Sequence, residues 1–330
     1  MIADRTEENK RLDINSYFPP FFSVMIPEIG RPQYTIKCVE SVHKFADLPV
    51  EIILHDDGST VDKQRILFDK LRDRVSTMIF NNGRNTGLAR SMNRCAYAAS
   101  SKYLLELNND AYMTSSFLKN MKAALDLPYV GLVNVTPKIN KEKGTPGLHV
   151  TPEGVKVLLS RGSGTLDCMG IRKSVSIEAG WWDENVQTSA SDTMFVGQIF
   201  GKGYFAVTVE GSVFNEMWSA SPDGKWNIGN VDPAYITASE FTHGDNNPPP
   251  IFGLNSGTHF ELSNKRREDI WHSLNDILLQ DKLYPQWFGD FFCDQISKLY
   301  IGKSGIDWEF AKEYGHDKWK DRIINDFNLQ

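Results

Sequence analysis

The chain is poor in cysteine and has no long apolar run. Its 330 residues include four cysteines, at positions 38, 95, 168 and 293. They neither cluster nor form a CxxC pair, which argues against a zinc site and a disulfide framework and favours a reducing compartment. No stretch reaches the roughly 18 apolar residues of a membrane-spanning helix, and the first twenty residues lack the apolar segment of a signal peptide. The sequence therefore predicts a soluble, cytoplasmic protein without a membrane span.

The chain also has no excess of positive charge. The formal net charge is −6 and the isoelectric point is about 5.7, so we expect no broad basic face and no nucleic acid partner. Apolar residues, in contrast, make up 41% of the chain and aromatic residues 12%. This composition is sufficient for a sizeable core, and it leaves aromatic side chains available for binding surfaces.

Apolar segments with strand propensity alternate with helical patterns in the first 135 residues. Strands are expected near residues 21–27, 50–56, 75–82, 102–107 and 130–135, with helical spacing of apolar residues between them. This alternation is typical of a parallel sheet flanked by helices. Further on, residues 220–260 are rich in Gly, Pro, Asn and Ser, and residues 261–330 form a charged tail with helical spacing and four tryptophans.

Polar residues follow four of the predicted strands. These clusters are Glu28 to Arg31, Asp56 to Ser59, Asn81 to Asn85 and Asn108 to Asp110. Parallel strands present their carboxyl ends at one edge of a sheet, where open α/β sheets bind ligands, so we expect the clusters to converge on one groove. Turn chemistry would explain a single cluster, but four in succession favour a binding edge.

Several of these residues suit a nucleotide that carries a diphosphate. Asp57 can accept hydrogen bonds from a base or a ribose hydroxyl, or begin a β-turn. Asn85 and Arg90 lie beside a predicted helix start, where amides, a cation and backbone N–H groups suit a diphosphate. Asp110 follows two asparagines and suits a hard divalent cation, which takes oxygen ligands. Asp192, at a later helix start, could be a general base, although the local sequence favours a helix cap.

The motifs together resemble those of the inverting family 2 glycosyltransferases of GT-A fold. The resemblance covers roughly residues 21–214, and its motifs, in order, are IPEIGRP, ILHDDGS, GRNTGLARSMN, LLELNNDAY and GWWDENVQTSASDTMFVGQIFGKGY. It implies an α/β fold in which helices flank a Rossmann-like, mostly parallel central sheet, followed by a mainly helical C-terminal extension.

The expected boundaries follow from this resemblance and from composition. They are a polar lead at 1–20, a GT-A domain at 21–219, a loop-rich segment at 220–260 and the helical extension at 261–330. Within the domain, 21–135 would bind the nucleotide sugar and 136–219 would provide the acceptor and catalytic half. The tryptophans of the extension would pack onto this domain, form an oligomer interface or shape the acceptor site.

The resemblance implies transfer of a sugar, with inversion, from a nucleotide-diphosphate donor to an acceptor hydroxyl. The donor would carry UDP, dTDP or GDP, and the acceptor would be a glycan or another hydroxyl compound. Asp192 matches the general base, and Asp110 matches the last residue of the family's Asp-x-Asp motif for Mn²⁺ or Mg²⁺. From the clusters and the resemblance together, the candidate donor-binding residues are Pro27, Arg31, Asp57, Asn85, Arg90, Asn108 and Asn109. Trp181 and Trp182 would stack on the acceptor or close the sugar pocket.

Two positions depart from the family's pattern. Asn108 replaces the first acid of the metal motif, as in some members that resemble rhamnosyltransferases, so an amide would contact the ribose and a lower metal affinity is expected. Ser191 replaces the acidic neighbour of Asp192, but the aspartate itself is kept. No histidine can be placed at the metal, because His243 and His259 lie in the loop-rich segment.

Two other functions remain open. The Asn108 substitution would also suit a catalytically degenerate protein that only binds sugar nucleotides or glycans, and metal-dependent hydrolysis of a donor would distinguish an enzyme from it. A sugar-nucleotide nucleotidyltransferase would be expected to carry a glycine-rich loop with a basic residue after the first strand. This chain has Glu28, Ile29, Gly30 and Arg31 there, which makes that alternative the weaker one.

Overall fold

A mixed sheet of nine strands forms the centre of the described structure. The computed structural model describes residues 19–81, 86–139, 147–159, 168–184, 191–215, 298–301 and 305–329. The strands are β1 (Phe22–Glu28), β2 (Val50–Asp56), β3 (Thr77–Phe80), β4 (Tyr103–Leu107), β5 (Ala111–Met113), β6 (Val130–Thr136), β7 (Leu148–Val150), β8 (Lys156–Leu159), β9 (Cys168–Arg172), β10 (Phe205–Glu210), β11 (Val213–Asn215), β12 (Tyr300–Ile301) and β13 (Gly305–Ile306). The α-helices are α1 (Pro32–Phe45), α2 (Val61–Leu71), α3 (Leu88–Ala98), α4 (Leu118–Leu125), α5 (Lys173–Ala179), α6 (Ser191–Phe200), α7 (Trp308–Glu313) and α8 (Lys320–Phe327), and a 3-10 helix covers His316–Trp319.

Most strands of the central sheet run in one direction. Their order is β3-β2-β1-β4-β9-β6-β10-β8-β7. The first four pair in parallel, β9 runs antiparallel between β4 and β6, and β10 is again parallel to β6. The hairpin β7-β8 closes the other edge through an antiparallel pair between β8 and β10. This confirms the expected α/β fold with a mostly parallel sheet, and all five strands predicted in the first 135 residues are present.

Two of the strands that lead to the predicted groove, β1 and β4, are buried along their whole length. Every residue of β1 and of β4 is buried, as expected for central strands that helices cover on both faces. After β1 the chain turns through Gly30, which has a φ of +72°, a value that favours glycine. Pro32 then begins α1, where a fixed φ suits the first helical position. Arg31 is therefore held in a short, constrained turn at the sheet edge.

The described part of the C-terminal extension packs against the domain. Tyr129 donates its hydroxyl hydrogen to Asp326 Oδ2 at 2.9 Å, and His149 Nδ1 lies 2.8 Å from the Asp326 carbonyl oxygen. Trp319 Nε1 donates to the carbonyl of Gly203 at 2.9 Å. Trp319 thus packs onto the domain, which is one of the three roles expected for the tail tryptophans, and the other two roles stay predictions. The segment 220–260, predicted to be loop-rich, and the extension up to residue 297 lie outside the described residues.

None of the described helices combines the length and hydropathy needed to cross a bilayer.

Candidate active site

The carboxyl ends of β1, β2 and β4 meet at one edge of the sheet. The backbone N–H of Asp57 donates to the carbonyl of Glu28 at 2.8 Å, which joins the ends of β1 and β2. Arg31 Nη1 lies 3.4 Å from Asp110 Oδ2, which joins the turn after β1 to the residues after β4. Asn81, after β3, donates its amide to Asp57 Oδ1 at 2.9 Å. Each of the four predicted clusters therefore contributes at least one residue to the contacts at this edge, although residues 82–85, including Asn85, lie outside the described residues.

Asp57 fastens the start of helix α3 to the end of β2. Its Oδ1 accepts hydrogen bonds from Asn81 and from the Thr86 hydroxyl, and its Oδ2 accepts from the backbone N–H groups of Thr86 and Gly87, all between 2.7 and 2.9 Å. A carboxylate has about four lone-pair sites, so these donors use its full capacity. Contact with the donor base, the role predicted for Asp57, would have to replace one of them, and it stays a prediction.

Glu28 connects the turn after β1 to the segment after β4. This carboxyl group, which is 2% exposed, accepts from the Arg31 backbone N–H at 2.6 Å and from the Thr35 hydroxyl and the Asn109 amide. Burial raises the pKa of Glu28 to about 7, against the lowering effect of these hydrogen bonds. Asn109, predicted to bind the donor, therefore has a structural partner in this conformation. The sequence analysis includes Glu28 in the first strand-end cluster but gives it no role, although a carboxylate that ends a buried strand was a sufficient signal for one.

Arg31 and Asp110 form a buried ion pair at the centre of this edge. Their side chains are 4% and 9% exposed, respectively, and the guanidinium carbon lies 5.6 Å from the centre of the Tyr34 ring. Asn108, directly after β4, accepts through its carbonyl a weak hydrogen bond from Cys38 Sγ at 3.6 Å. Pro27 is buried within β1 opposite His55 of β2, one residue before the edge. The predicted donor residues of β1 and β4 are thus brought together.

The chemistry of this edge fits a divalent cation that shares its ligands with a substrate. Asp110 offers a carboxylate, and Mg²⁺ and Mn²⁺ are commonly held by one or two carboxylates together with substrate phosphates. No group of three His, Cys, Asp or Glu side chains that could hold a metal ion occurs in the described ranges, so a donor would have to supply further oxygens. His243 and His259 lie outside these ranges.

Arg90 and the two tryptophans belong to a contact between α3 and the turn after α5. Arg90 Nε donates to Glu184 Oε2 at 3.0 Å, and the Asn93 side chain bonds both the N–H and the carbonyl of Trp182 at 3.0 and 2.9 Å. In this conformation the guanidinium predicted for the diphosphate is therefore engaged with a carboxylate. Trp181 is half-buried and has an unusual φ of +66°.

Trp182 has little surface to offer an acceptor. Its side chain is 1% exposed, and its ring stacks on Phe195 of α6 with centres 3.8 Å apart. An acceptor could stack on this ring only if the contact with α6 opened, so the structure makes Trp182 a support for α6. Trp181 is the better placed of the two for the predicted acceptor contact.

Asp192 is the second residue of helix α6. The helix packs against β6, β10 and α3, and the stack of Trp182 on Phe195 ties it to the turn that Asn93 holds. The helix predicted to start near Asp192 is present and begins at Ser191, while the side chain of Asp192 lies outside the described part of the chain. Its assignment as general base stays a prediction.

The chain is similar to known glycosyltransferases. Residues 23–176 match the family model described as Glycosyl transferase family 2, whereas no curated protein matches the chain. Similar solved structures include TarS of S. aureus, at 16% identity and a TM-score of 0.48, covering 91% of this chain and 54% of that one. The mannosyltransferase PcManGT of Pyrobaculum calidifontis, in complex with GDP-Man and Mn²⁺, is 15% identical, with a TM-score of 0.46 and coverage of 92% and 88%. GalNAc-T7 with UDP, GalNAc and Mn²⁺ is 16% identical, with a TM-score of 0.48 and coverage of 76% and 54%.

The chain spans about half the length of the TarS and GalNAc-T7 chains. The family model matches residues 23–176, and this span contains all four strand-end clusters of the sheet edge. Residues 23–176 therefore carry the pattern of a glycosyl transferase family 2 domain.

Proposed function

We propose that the protein transfers a sugar from a nucleotide-diphosphate donor to an acceptor hydroxyl with inversion at the anomeric carbon. The observation that carries the proposal is the convergence of four polar clusters at the carboxyl ends of the parallel strands, with Arg31 and Asp110 in contact at its centre. Open α/β sheets bind their ligands at such an edge. The donor would carry UDP, dTDP or GDP, and the acceptor would be a glycan or another hydroxyl compound.

The donor would lie across the strand ends, with its base near Asp57, its ribose near Asn108 and its diphosphate near Asp110. Mn²⁺ or Mg²⁺ held by Asp110 would supply positive charge against the leaving diphosphate. Arg31 brings a second cation to the same place, because its guanidinium already contacts Asp110. Planar guanidinium groups match phosphate oxygens well.

Asp192 would act as the general base. Its carboxylate takes the proton of the acceptor hydroxyl while the hydroxyl oxygen bonds to the anomeric carbon and the bond from that carbon to the diphosphate oxygen breaks. The acceptor attacks the face opposite the leaving group, so configuration inverts and no covalent enzyme intermediate forms. Trp181, at the turn after α5, would contact the acceptor or the transferred sugar.

The domain boundaries at 21–135 and 136–219 belong to the same proposal. The first range contains β1 to β4, whose ends form the donor edge, and the second contains α6 with Asp192. The cytoplasmic location expected from the scattered cysteines also stays a prediction, and Cys38, Cys95 and Cys168 are buried. Oligomer formation through the C-terminal extension is untested.

The test is a panel of UDP-, dTDP- and GDP-linked sugars with Mn²⁺ or Mg²⁺. A bound donor should raise the melting temperature by mass action, and proton NMR of the product formed with a hydroxyl acceptor should show the inverted anomer. Metal-dependent hydrolysis of the donor without acceptor would already establish an enzyme. Binding without turnover would instead favour the degenerate sugar-nucleotide binder, and a retained anomeric configuration would contradict the mechanism.

A further inference from the structure

Arg94 is a half-exposed arginine of helix α3 that lies at the donor edge of the sheet. Side chains of a helix lean towards its N-terminus, and Arg94 extends back to the place where Asp57 holds Gly87 at the start of α3. Its Nη1 lies 3.0 Å from Nε2 of His55, near the end of β2, and 3.9 Å from Asp57 Oδ1. The Arg94 side chain is 43% exposed. It thus presents part of its guanidinium beside the residue that is expected to meet the donor base.

His55 accepts a hydrogen bond from this guanidinium. A guanidinium has N–H donors and no acceptor, so Arg94 donates and Nε2 of His55 carries a lone pair. The ring of His55 is fully buried, and burial, together with the charge of Arg94, lowers its pKa to about 4, although Asp57 acts in the opposite direction. The imidazole is therefore neutral at neutral pH, with its hydrogen on Nδ1. Within the part of the chain that the structure describes, Nδ1 is buried without a hydrogen-bond partner, so Arg94 sets this tautomer.

The neighbouring carboxyl groups leave Arg94 as the available hydrogen-bond donor at this corner. Asp57 balances its charge, but four donors already occupy that carboxylate. The carboxyl groups that end β2 and β1 bond to other helices, Asp56 to α2 and Glu28 to α1. In the described ranges Arg94 makes one hydrogen bond, to His55, with one of its five N–H donors. The remaining donors of this side chain can therefore meet a ligand.

We propose that Arg94, held by His55, recognises the base of the donor nucleotide and selects a base with a carbonyl group where others carry an exocyclic amino group. This inference rests on the proposed function and adds the class of base to it. Uracil and thymine have a carbonyl at position 4 and guanine has one at position 6, whereas cytosine and adenine have amino groups there. A carbonyl oxygen accepts from a guanidinium, while an amino group in the same pose would face it donor to donor.

Matched nucleotides isolate this contact from every other contact of the donor. UDP and CDP share their ribose and diphosphate and differ at position 4 and the adjoining ring nitrogen of the base. IDP and ADP differ in the corresponding way among purines. A residue that binds the diphosphate or a metal changes the affinity for both members of a pair by the same factor. The ratio of the two dissociation constants therefore reports on the base alone.

The experiment measures these dissociation constants by isothermal titration calorimetry, with and without Mn²⁺. The wild type should prefer the carbonyl member of the pair that binds by at least about tenfold. Arg94→Met keeps most of the apolar stem, removes the donors and should reduce this preference to less than about twofold. Arg94→Lys keeps a cation that only donates and should restore part of the preference. His55→Phe keeps a buried ring without an acceptor for Arg94 and should give an intermediate preference.

Two other arginines are the controls. Arg90→Gln changes the arginine of α3 that is predicted to bind the diphosphate, so any loss should be equal for UDP and CDP and their ratio should not change. Arg74→Gln changes a half-exposed arginine that pairs with Glu40 on the surface, and it should leave both dissociation constants unchanged. Where Arg94→Met does not fold, Arg94→Gln replaces it, because an amide can pair with either a carbonyl or an amino group.

The outcomes separate this inference from the proposed function. Equal affinity of the wild type for the two members of a pair, or an equal loss of both affinities in Arg94→Met, would overturn the inference while donor binding still stood. A full wild-type preference in His55→Phe would contradict the positioning role of His55. If no nucleoside diphosphate and no nucleotide sugar bound with or without Mn²⁺, the proposed function itself would fail, and this inference with it.

Discussion

The hydroxyl and the backbone N–H of Thr86 both donate to the carboxylate of Asp57, at 2.7 and 2.8 Å. Two more donors, the Asn81 amide and the Gly87 N–H, also donate hydrogen bonds to this carboxylate. Gly87 is the residue before helix α3 and has a φ of +98°, so the carboxylate also meets one of the N–H groups that a helix leaves without an internal partner. One side chain thus sets where α3 begins relative to the end of β2.

Asp57→Asn should lower the free energy of unfolding by about 2 kcal/mol. The amide NH₂ would face backbone N–H donors that now meet a carboxylate oxygen. Urea unfolding measures the change. Asp62→Asn is the matched control, because that side chain is 90% exposed and its loss should cost less than about 0.5 kcal/mol. Equal effects of the two substitutions would contradict the role of Asp57 in joining the start of α3 to the end of β2.

The stability contribution of Glu28 should depend on pH. The pKa of Glu28 is about 7 in the folded protein and 4.5 for an ordinary glutamate, so between these values the folded state binds more protons than the unfolded state. Stability from this group is therefore lost as the pH rises from about 4.5 to 7. Glu28→Gln removes the titration. The unfolding free energy of the wild type minus that of the variant should fall by about 3 kcal/mol over this range.

Denaturant unfolding at closely spaced pH values gives that difference. Glu40→Gln is the control, since that half-exposed carboxylate pairs with Arg74 on the surface. The unfolding free energy of the wild type minus that of Glu40→Gln should stay nearly constant over the same pH range. A flat difference for Glu28→Gln as well would show that the buried carboxyl does not titrate in this range.

Gly203→Ala should detach the C-terminal extension. An added Cβ at Gly203 would lie 2.5 Å from the carbonyl oxygen of Gly315, and its φ is +74°. Gly154→Ala is a close control, because its φ is +81° and nothing lies within 4 Å of its Cβ position. The control should cost about 1 to 2 kcal/mol for the backbone strain alone, and Gly203→Ala should cost clearly more. Limited proteolysis of the extension together with urea unfolding measures both effects, and equal costs would refute the close contact.

Substitution of Trp182 should affect stability, whereas substitution of Trp181 should affect acceptor binding. Trp182→Leu removes a ring stacked on Phe195 and should lower the unfolding free energy by about 3 kcal/mol. Trp181→Leu changes a half-buried ring and should act mainly on the KM for the acceptor. Thermal unfolding and acceptor titration measure the two effects. A stable Trp182→Leu variant with a raised acceptor KM would contradict the structural role of Trp182 and would indicate that Trp182 contacts the acceptor.

The sheet could be predicted from the sequence because short local patterns of apolar residues indicate its strands. β1 and β4 are continuous apolar runs that end in polar residues, and parallel pairing then brings those ends together. β5 was not predictable in this way, since its three residues, Ala111–Met113, carry no pattern of their own. It exists because β11 pairs with it from about a hundred residues later in the chain.

The site residues could be predicted as a set but not as partners. Polar types at strand ends indicated Arg31, Asp57 and Asp110, whereas the pairing of Arg31 with Asp110 depends on how the turn after β1 is held by Glu28. The burial of Trp182 likewise depends on Phe195, a residue of another helix. Such contacts between distant segments leave no local pattern in a single sequence.

The central claim is that this edge transfers a sugar with Asp192 as the base. The most direct measurement is the transfer rate of Asp192→Asn compared with the wild type, using the donor found in the panel, together with the donor dissociation constant of each. We predict a loss of at least about 100-fold in kcat, with donor affinity nearly unchanged. Asp73→Asn, whose side chain is 88% exposed, should keep full activity as the control. Transfer retained by Asp192→Asn would contradict the account.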